Sequence, residues 1–165
     1  MPAKILKQKL NNARRVAVLG VGSELRGDDI AGILAAQQIE KTITKQTTSP
    51  KIRVFIGETA PENLTGEIKK FQPTHLIIID AAELNKEPGH IEIMEPETIG
   101  GTSFCTHSLP LKVIIGYLLE SFKFQAIIIG IQPKTLVFGA QPTKEVVAAA
   151  KYIAKEITTL FKKAK

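Results

Sequence analysis

Two hydrophobic periods alternate along the chain, and their alternation predicts the fold. Val16 to Leu19, His75 to Asp80 and Ala126 to Ile131 are short, nearly continuous apolar runs, the pattern of strands buried on both faces. Ile52 to Ile56 and Ile91 to Met94 supply two more strands. Between them apolar residues recur at helical spacing. Ile30, Ile33 and Leu34 line a helix running from about Asp29 into the low forties, which Thr47-Thr-Ser-Pro50 breaks. A short helix covers Thr65 to Phe71. Pro110 opens another, carrying Leu111, Ile114, Ile115, Leu118, Leu119 and Phe122. Thr143 is placed to cap a last helix, whose Val146, Val147, Ile153, Ile157 and Phe161 face the core. Gly57 to Asn63, Gly100 to Ser108 and Gln132 to Pro142 read as loops.

The connection from Asp80 to Ile91 is too short for a parallel crossover, so the Ile91 strand is expected antiparallel to a neighbour. The order β-α-β-α-β-β-α-β-α then describes a doubly wound α/β/α sandwich. Its five-stranded sheet is mostly parallel, with one antiparallel strand. Residues 1–15 read as an N-terminal extension, with Met1 to Asn12 a short amphipathic helix carrying Ile5, Leu6 and Leu10 on one side. Residues 16–165 read as a single domain, which a chain of 165 residues is long enough to form around one core.

The centre of this plan is Val16 to Gly32, where a strand turns through Gly20, Gly22 and Gly27 into a helix opened by Asp28 and Asp29. Ligands of open α/β sheets sit outside the carboxyl ends of the strands, so this stretch marks a site. A dinucleotide loop would need a third glycine where Leu25 stands and a helix mouth free to face pyrophosphate. Two carboxylates at that mouth repel phosphate and attract a cation. Asp28 reads as an ordinary helix N-cap. Asp29 gains meaning from what else reaches the same edge.

Asp29 follows the first strand, Glu58 the second and Asp80 the third, and parallel strands bring these ends to one edge. His107 lies just before the Pro110 helix, where the helix dipole disfavours the imidazolium and leaves the metal-binding neutral form. Asp29, Asp80 and His107 thus form a candidate three-ligand site with open positions, suited to nickel, zinc or manganese. Glu58 and Glu62 are candidate supporting or substrate-binding groups, as is Asp28. Each residue also has an ordinary reading, as a turn-capping aspartate or a structural histidine. Cys105 and His107 are a weaker candidate nucleophilic pair. His75 and His90 start strands and read as surface residues.

Charge and cysteine content narrow the classes. The net charge of +6 comes largely from the two ends of the chain, and no aromatics interleave with the basic residues, so nucleic acid is not an expected partner. A single cysteine excludes an internal disulfide and a multi-cysteine metal centre. No apolar stretch has the length of a signal core or a transmembrane span, so a cytoplasmic protein without membrane insertion is expected.

Five segments carry a resemblance: Gly20-Val-Gly-Ser-Glu-Leu-Arg-Gly-Asp-Asp29, Thr59-Ala-Pro-Glu-Asn63, Pro73-Thr-His-Leu-Ile-Ile-Ile-Asp-Ala81, Thr106-His-Ser-Leu-Pro-Leu111 and Gly130-Ile-Gln-Pro133. With them the chain resembles the nickel–iron hydrogenase maturation endopeptidases, most closely the type that processes the large subunit of hydrogenase 3, the formate-hydrogenlyase enzyme. Ser23 stands where that family usually has asparagine, and Ile30 where it often has glycine; neither departure removes a ligand.

The resemblance implies a five-stranded α/β/α sandwich with site residues Asp29, Asp80 and His107. It also implies one cut near the C-terminus of the large-subunit precursor, made after nickel insertion. No resident cofactor is implied. Nickel arrives on the substrate, though other divalent metals can occupy such a site. The enzyme class is an aspartyl or metal-assisted peptidase. The competing readings are a non-catalytic nickel- or precursor-binding maturation factor on the same fold, and a nucleotide-binding domain, against which the paired aspartates speak.

Overall fold

The computed structural model describes residues 2–45, 48–101, 103–104 and 110–162. Its strands are β1 (Arg15–Val21), β2 (Lys51–Glu58), β3 (His75–Glu83), β4 (Ile91–Met94), β5 (Ser103–Phe104) and β6 (Gln125–Ile131). Its α-helices are α1 (Pro2–Lys9), α2 (Ala31–Ile43), α3 (Thr65–Phe71), α4 (Leu111–Leu119) and α5 (Lys144–Phe161). Five strands lie in the order β2-β1-β3-β6-β4. β1, β2, β3 and β6 run parallel, and β4 pairs antiparallel with β6. The doubly wound, mostly parallel sheet expected from the sequence is therefore the one observed.

Period-two alternation along the central strands divides the interior into two layers. Val16, Val18, Ile77, Ile79, Ile127 and Ile129 meet α1, α2 and α5. Ala17, Leu19, Leu76, Ile78 and Ile128 meet α3 and α4. With helices on both faces, the strands are buried throughout, hence their unbroken isoleucine and valine runs. α1 and the turn that follows it contribute Leu6 and Leu10 to the α5 side while Ile5 remains 39% exposed. Its Lys9 forms an ion pair with Glu95 beyond β4.

Four local expectations change. β3 continues three residues past Asp80 because β5 pairs with it antiparallel, Phe104 opposite Ala82 and Ser103 opposite Glu83. The expected loop from Gly100 is therefore partly ordered, preceded by a 3-10 turn over Pro96–Gly101. β2 runs on to Glu58 through an irregularity that skips Gly57, with Glu58 in the left-handed region at φ 47°. The first α-helix begins at Ala31, because Gly27–Ile30 forms a separate 3-10 turn. Finally, His75 is buried rather than on the surface, its Nδ1 3.0 Å from Thr74 Oγ1. Burial holds its pKa below the usual histidine value, so it stays neutral in the core layer. His90 is exposed, as its strand-start position suggested.

Two glycines bring α2 against the sheet end. A Cβ on Gly32 would stand 2.0 Å from the Ile79 carbonyl oxygen and 2.3 Å from that of Val21. One on Gly22, whose φ is +146°, would stand 1.9 Å from the Asp29 carbonyl oxygen. Backbone cannot yield to such contacts as a flexible side chain can. Gly32→Ala is therefore expected to lower stability by about 1–3 kcal/mol, the usual cost of overpacking, read as a fall in thermal midpoint. An unchanged midpoint would show that α2 does not depend on this close approach.

Candidate active site

The registers place Glu58, Val21, Asp80 and Gly130 at one level across the carboxyl edge of the sheet. Val21 pairs with Glu58, Asp80 pairs with Gly130, and Gly20 pairs with Ile79 just below. Asp80 shares the parity of Leu76 and Ile78, so it belongs to the α3/α4 layer. Asp29 arrives from the 3-10 turn that Gly22 and Gly32 allow against the sheet. The structure thus brings Asp29 and Asp80 together from different elements, and both are fully buried.

Their electrostatics follow from that placement. Burial, and then the neighbouring charge of Asp29, push the Asp80 carboxyl well above the ordinary aspartate range, against a smaller opposing pull from the Ala81 backbone amide. Two carboxylates enclosed side by side at a strand end, one with its pKa raised by burial and by the other, suit a cation or a proton-transfer step better than a purely structural role. Among the described residues no group of three or more His, Cys, Asp or Glu side chains is arranged to hold a metal ion. The third sequence candidate, His107, lies outside the described residues, as does Cys105.

Asp28 departs from the N-cap expectation. Arg26 is the residue before the turn, and no side chain caps it. The Asp28 carboxylate instead reaches across to the segment between β6 and α5. Its Oδ2 accepts from the Lys134 and Thr135 amides at 2.8 and 3.1 Å, and its Oδ1 from the Thr143 amide at 2.6 Å. The Thr143 hydroxyl donates to it as well, at 2.9 Å. Thr143 is the N-cap residue of α5, as expected, but its hydroxyl serves Asp28 rather than its own helix. The Asp28 charge lies at the positive end of α5 in this arrangement.

The two glutamates are less buried than the aspartates. Glu58 is exposed, and its backbone carbonyl accepts from the Gly22 amide at 2.9 Å, tying β2 to the glycine turn. Glu62 is half-buried in the Pro61–Leu64 turn, where its carbonyl accepts from the Thr65 hydroxyl at 2.9 Å.

The role of one residue in the Gly130-Ile-Gln-Pro133 segment escaped the sequence reading. Gln132, buried directly after β6, accepts from the Leu84 and Lys86 amides at 2.7 and 3.3 Å. It donates to Glu83 Oε2 and the Pro133 carbonyl at 3.1 and 3.0 Å. It fixes the chain leaving β3 just beyond Asp80. A glutamine closing an isoleucine-rich strand, directly before proline, is the signal that could have found it.

A model of the hydrogenase maturation protease family matches residues 33–160. The chain belongs to that family. The hydrogenase 3 maturation protease of Escherichia coli is 36% identical to it over 136 residues, 79% of this chain and 82% of that protein. A nickel–iron hydrogenase maturation protease from Thermococcus kodakarensis superposes with a TM-score of 0.85 at 26% identity, over 94% of this chain and 97% of the other. The solution structure of an endopeptidase from Escherichia coli superposes at 0.72 with 31% identity, over 86% and 87%. This hydrogenase maturation protease is accordingly a peptidase, and its buried aspartates lie at the edge where an α/β fold carries its chemistry. No helix among the described residues is long and apolar enough to cross a membrane.

Proposed function

We propose that the protein is the endopeptidase that removes the C-terminal tail of a nickel–iron hydrogenase large-subunit precursor after nickel insertion. The observation that carries this reading is the pair of fully buried carboxylates, Asp29 and Asp80, at the carboxyl edge of β1 and β3. Nickel is part of the substrate here. Asp29 and Asp80 supply oxygen donors to it and His107 a nitrogen donor, a set suited to a borderline divalent metal. Two described neighbours support including His107: Phe104, three residues before it, pairs with Ala82, two residues beyond Asp80, and α4 opens shortly after it.

Docking through the metal on the precursor holds the bond to be cut beside the carboxylates. One carboxylate takes a proton from water as the water oxygen attacks the scissile carbonyl carbon. The proton then passes to the departing amide nitrogen as the bond breaks. A precursor without metal lacks the group that these side chains engage, so cleavage also checks that insertion is complete. The reaction takes place in the cytoplasm, before the subunit closes over its metal centre.

The test is a cleavage assay on the large-subunit precursor, nickel-loaded and nickel-free, reading the mass of the released fragment. Release only from the loaded form is expected, with His107→Ala slower by about a hundredfold, as for a misplaced reacting bond. Equal cutting of both forms would leave a protease without the metal check. Binding without any cutting would favour a maturation factor that has lost hydrolysis.

A further inference from the structure

Beside the aspartate pair the protein exposes three large apolar side chains that its own fold leaves uncovered. Leu25 is 62% exposed, Val137 65% and Phe138 71%, the three most exposed large hydrophobic residues among those described. They come from two segments more than a hundred residues apart, yet the backbone holds those segments side by side. The Gly139 amide donates to the Leu25 carbonyl at 2.8 Å, the Gly27 amide to Ala140 at 3.2 Å and the Asp28 amide to Thr135 at 2.9 Å. The buried Asp28 carboxylate secures the same segment from beneath. Their segments are therefore held by the turn that carries Asp29, one residue from the Asp28 latch and four from Leu25.

We infer that Leu25, Val137 and Phe138 form a docking ridge for an apolar segment of the precursor chain next to the bond that is cut. The inference rests on the proposed cleavage of a precursor and extends it to how the substrate protein is chosen. The occupant follows from position. Leu25 and Asp29 belong to one turn, and the segment carrying Val137 and Phe138 is hydrogen-bonded to that turn, so a polypeptide held at Asp29 has this apolar surface next to it. An exposed cluster of this kind marks an interaction site when it borders the chemistry. A buried charged latch under an exposed loop presets the ridge, so little ordering remains to be done on binding. A polar or charged segment would leave the ridge wet and gain nothing from it. Asp28 acts here as a positioning residue, through the loop it holds.

The experiment uses the full chain and the nickel-loaded large-subunit precursor, with binding followed by calorimetric titration and cleavage by fragment mass. Leu25→Ser and Phe138→Ser are expected to raise Kd and KM roughly tenfold or more, as for large apolar groups that become buried. kcat is expected to stay within about twofold, because the ridge does not touch the reacting atoms. Phe138→Leu should restore most of the affinity, and Tyr152→Ser, exposed on α5 away from the site, should change neither constant. Unchanged Kd and KM in the two serine variants would overturn the inference, as would a loss confined to kcat. Self-association of the wild type that Phe138→Ser abolishes would overturn it too, since the ridge would then cover a second copy. Binding without cutting, still weakened by Phe138→Ser, would remove the proposed activity and keep the ridge. Wild-type protein that neither binds nor cuts the precursor would overturn both.

Discussion

Asp80→Asn is expected to stop cleavage and at the same time to make the protein more stable at neutral pH. The amide has nearly the shape of the carboxyl group but cannot take a proton from water and is a poor donor to a cation. Loss of a general base alone lowers rates by roughly 10²–10⁴-fold. Stability changes in the other direction because Asp80 is enclosed beside Asp29, and burial together with that neighbour raises its pKa well above the ordinary aspartate range. A carboxyl whose pKa is higher folded than unfolded contributes its stability below the unfolded value. That contribution falls away as pH rises through the folded value, because the unfolded chain then releases the proton more readily.

Wild type therefore carries the full cost of this group at pH well above its folded-state value, and the asparagine variant carries none. A gain of about 0.5–2 kcal/mol, the size common for a single stabilising substitution, is expected. For a chain of this size that is on the order of a few degrees in Tm. Urea unfolding of both proteins across acid to neutral pH checks the sign: the difference should be largest at neutral pH and shrink toward acid. A variant less stable than wild type at neutral pH would mean that the Asp80 carboxylate serves the fold rather than the reaction.

The parts of this structure legible in the sequence are those set by local period and short connections. The isoleucine runs of β3 and β6 announce strands covered on both faces, and the short link from Asp80 to Ile91 forces β4 antiparallel. Parallel order then carries Asp29 and Asp80 to one edge without further information. Illegible were the contacts that join distant segments. Nothing near Asp28 in the sequence says that its oxygens are taken by Lys134, Thr135 and Thr143. Hence it read as a helix cap, the commonest local use of that residue. Gln132 is hidden for the same reason, because its partners at Leu84 and Lys86 belong to the link between β3 and β4. β5 was missed because a pairing of Phe104 with Ala82 and Ser103 with Glu83 is too short to leave an alternating pattern. His75 read as surface because a polar residue opening a strand usually is. Here α1 comes close enough for a Lys9 backbone group to act on its ring, and the histidine is covered.

Asp28→Ala is the second large effect, and it separates the two readings of that residue. Were Asp28 only a cap on its own turn, its loss would cost about 1 kcal/mol. Amide exchange would then quicken at Asp29 to Gly32. In the structure the carboxylate is fully buried and receives three backbone amides and one hydroxyl. Removing it leaves those donors without their anion in a space closed to bulk water, a loss of about 3–5 kcal/mol by analogy with broken buried charge pairs. Tm should fall by on the order of 10 °C. Exchange should quicken at Lys134, Thr135 and Thr143, a hundred residues away from the substitution. Asp28→Asn should fall between wild type and alanine, since one oxygen is kept and the other becomes a donor facing donors. Protection lost around Asp29 with the 134–143 segment unchanged would remove the latch. It would also remove the reason that segment stands fixed beside Asp29.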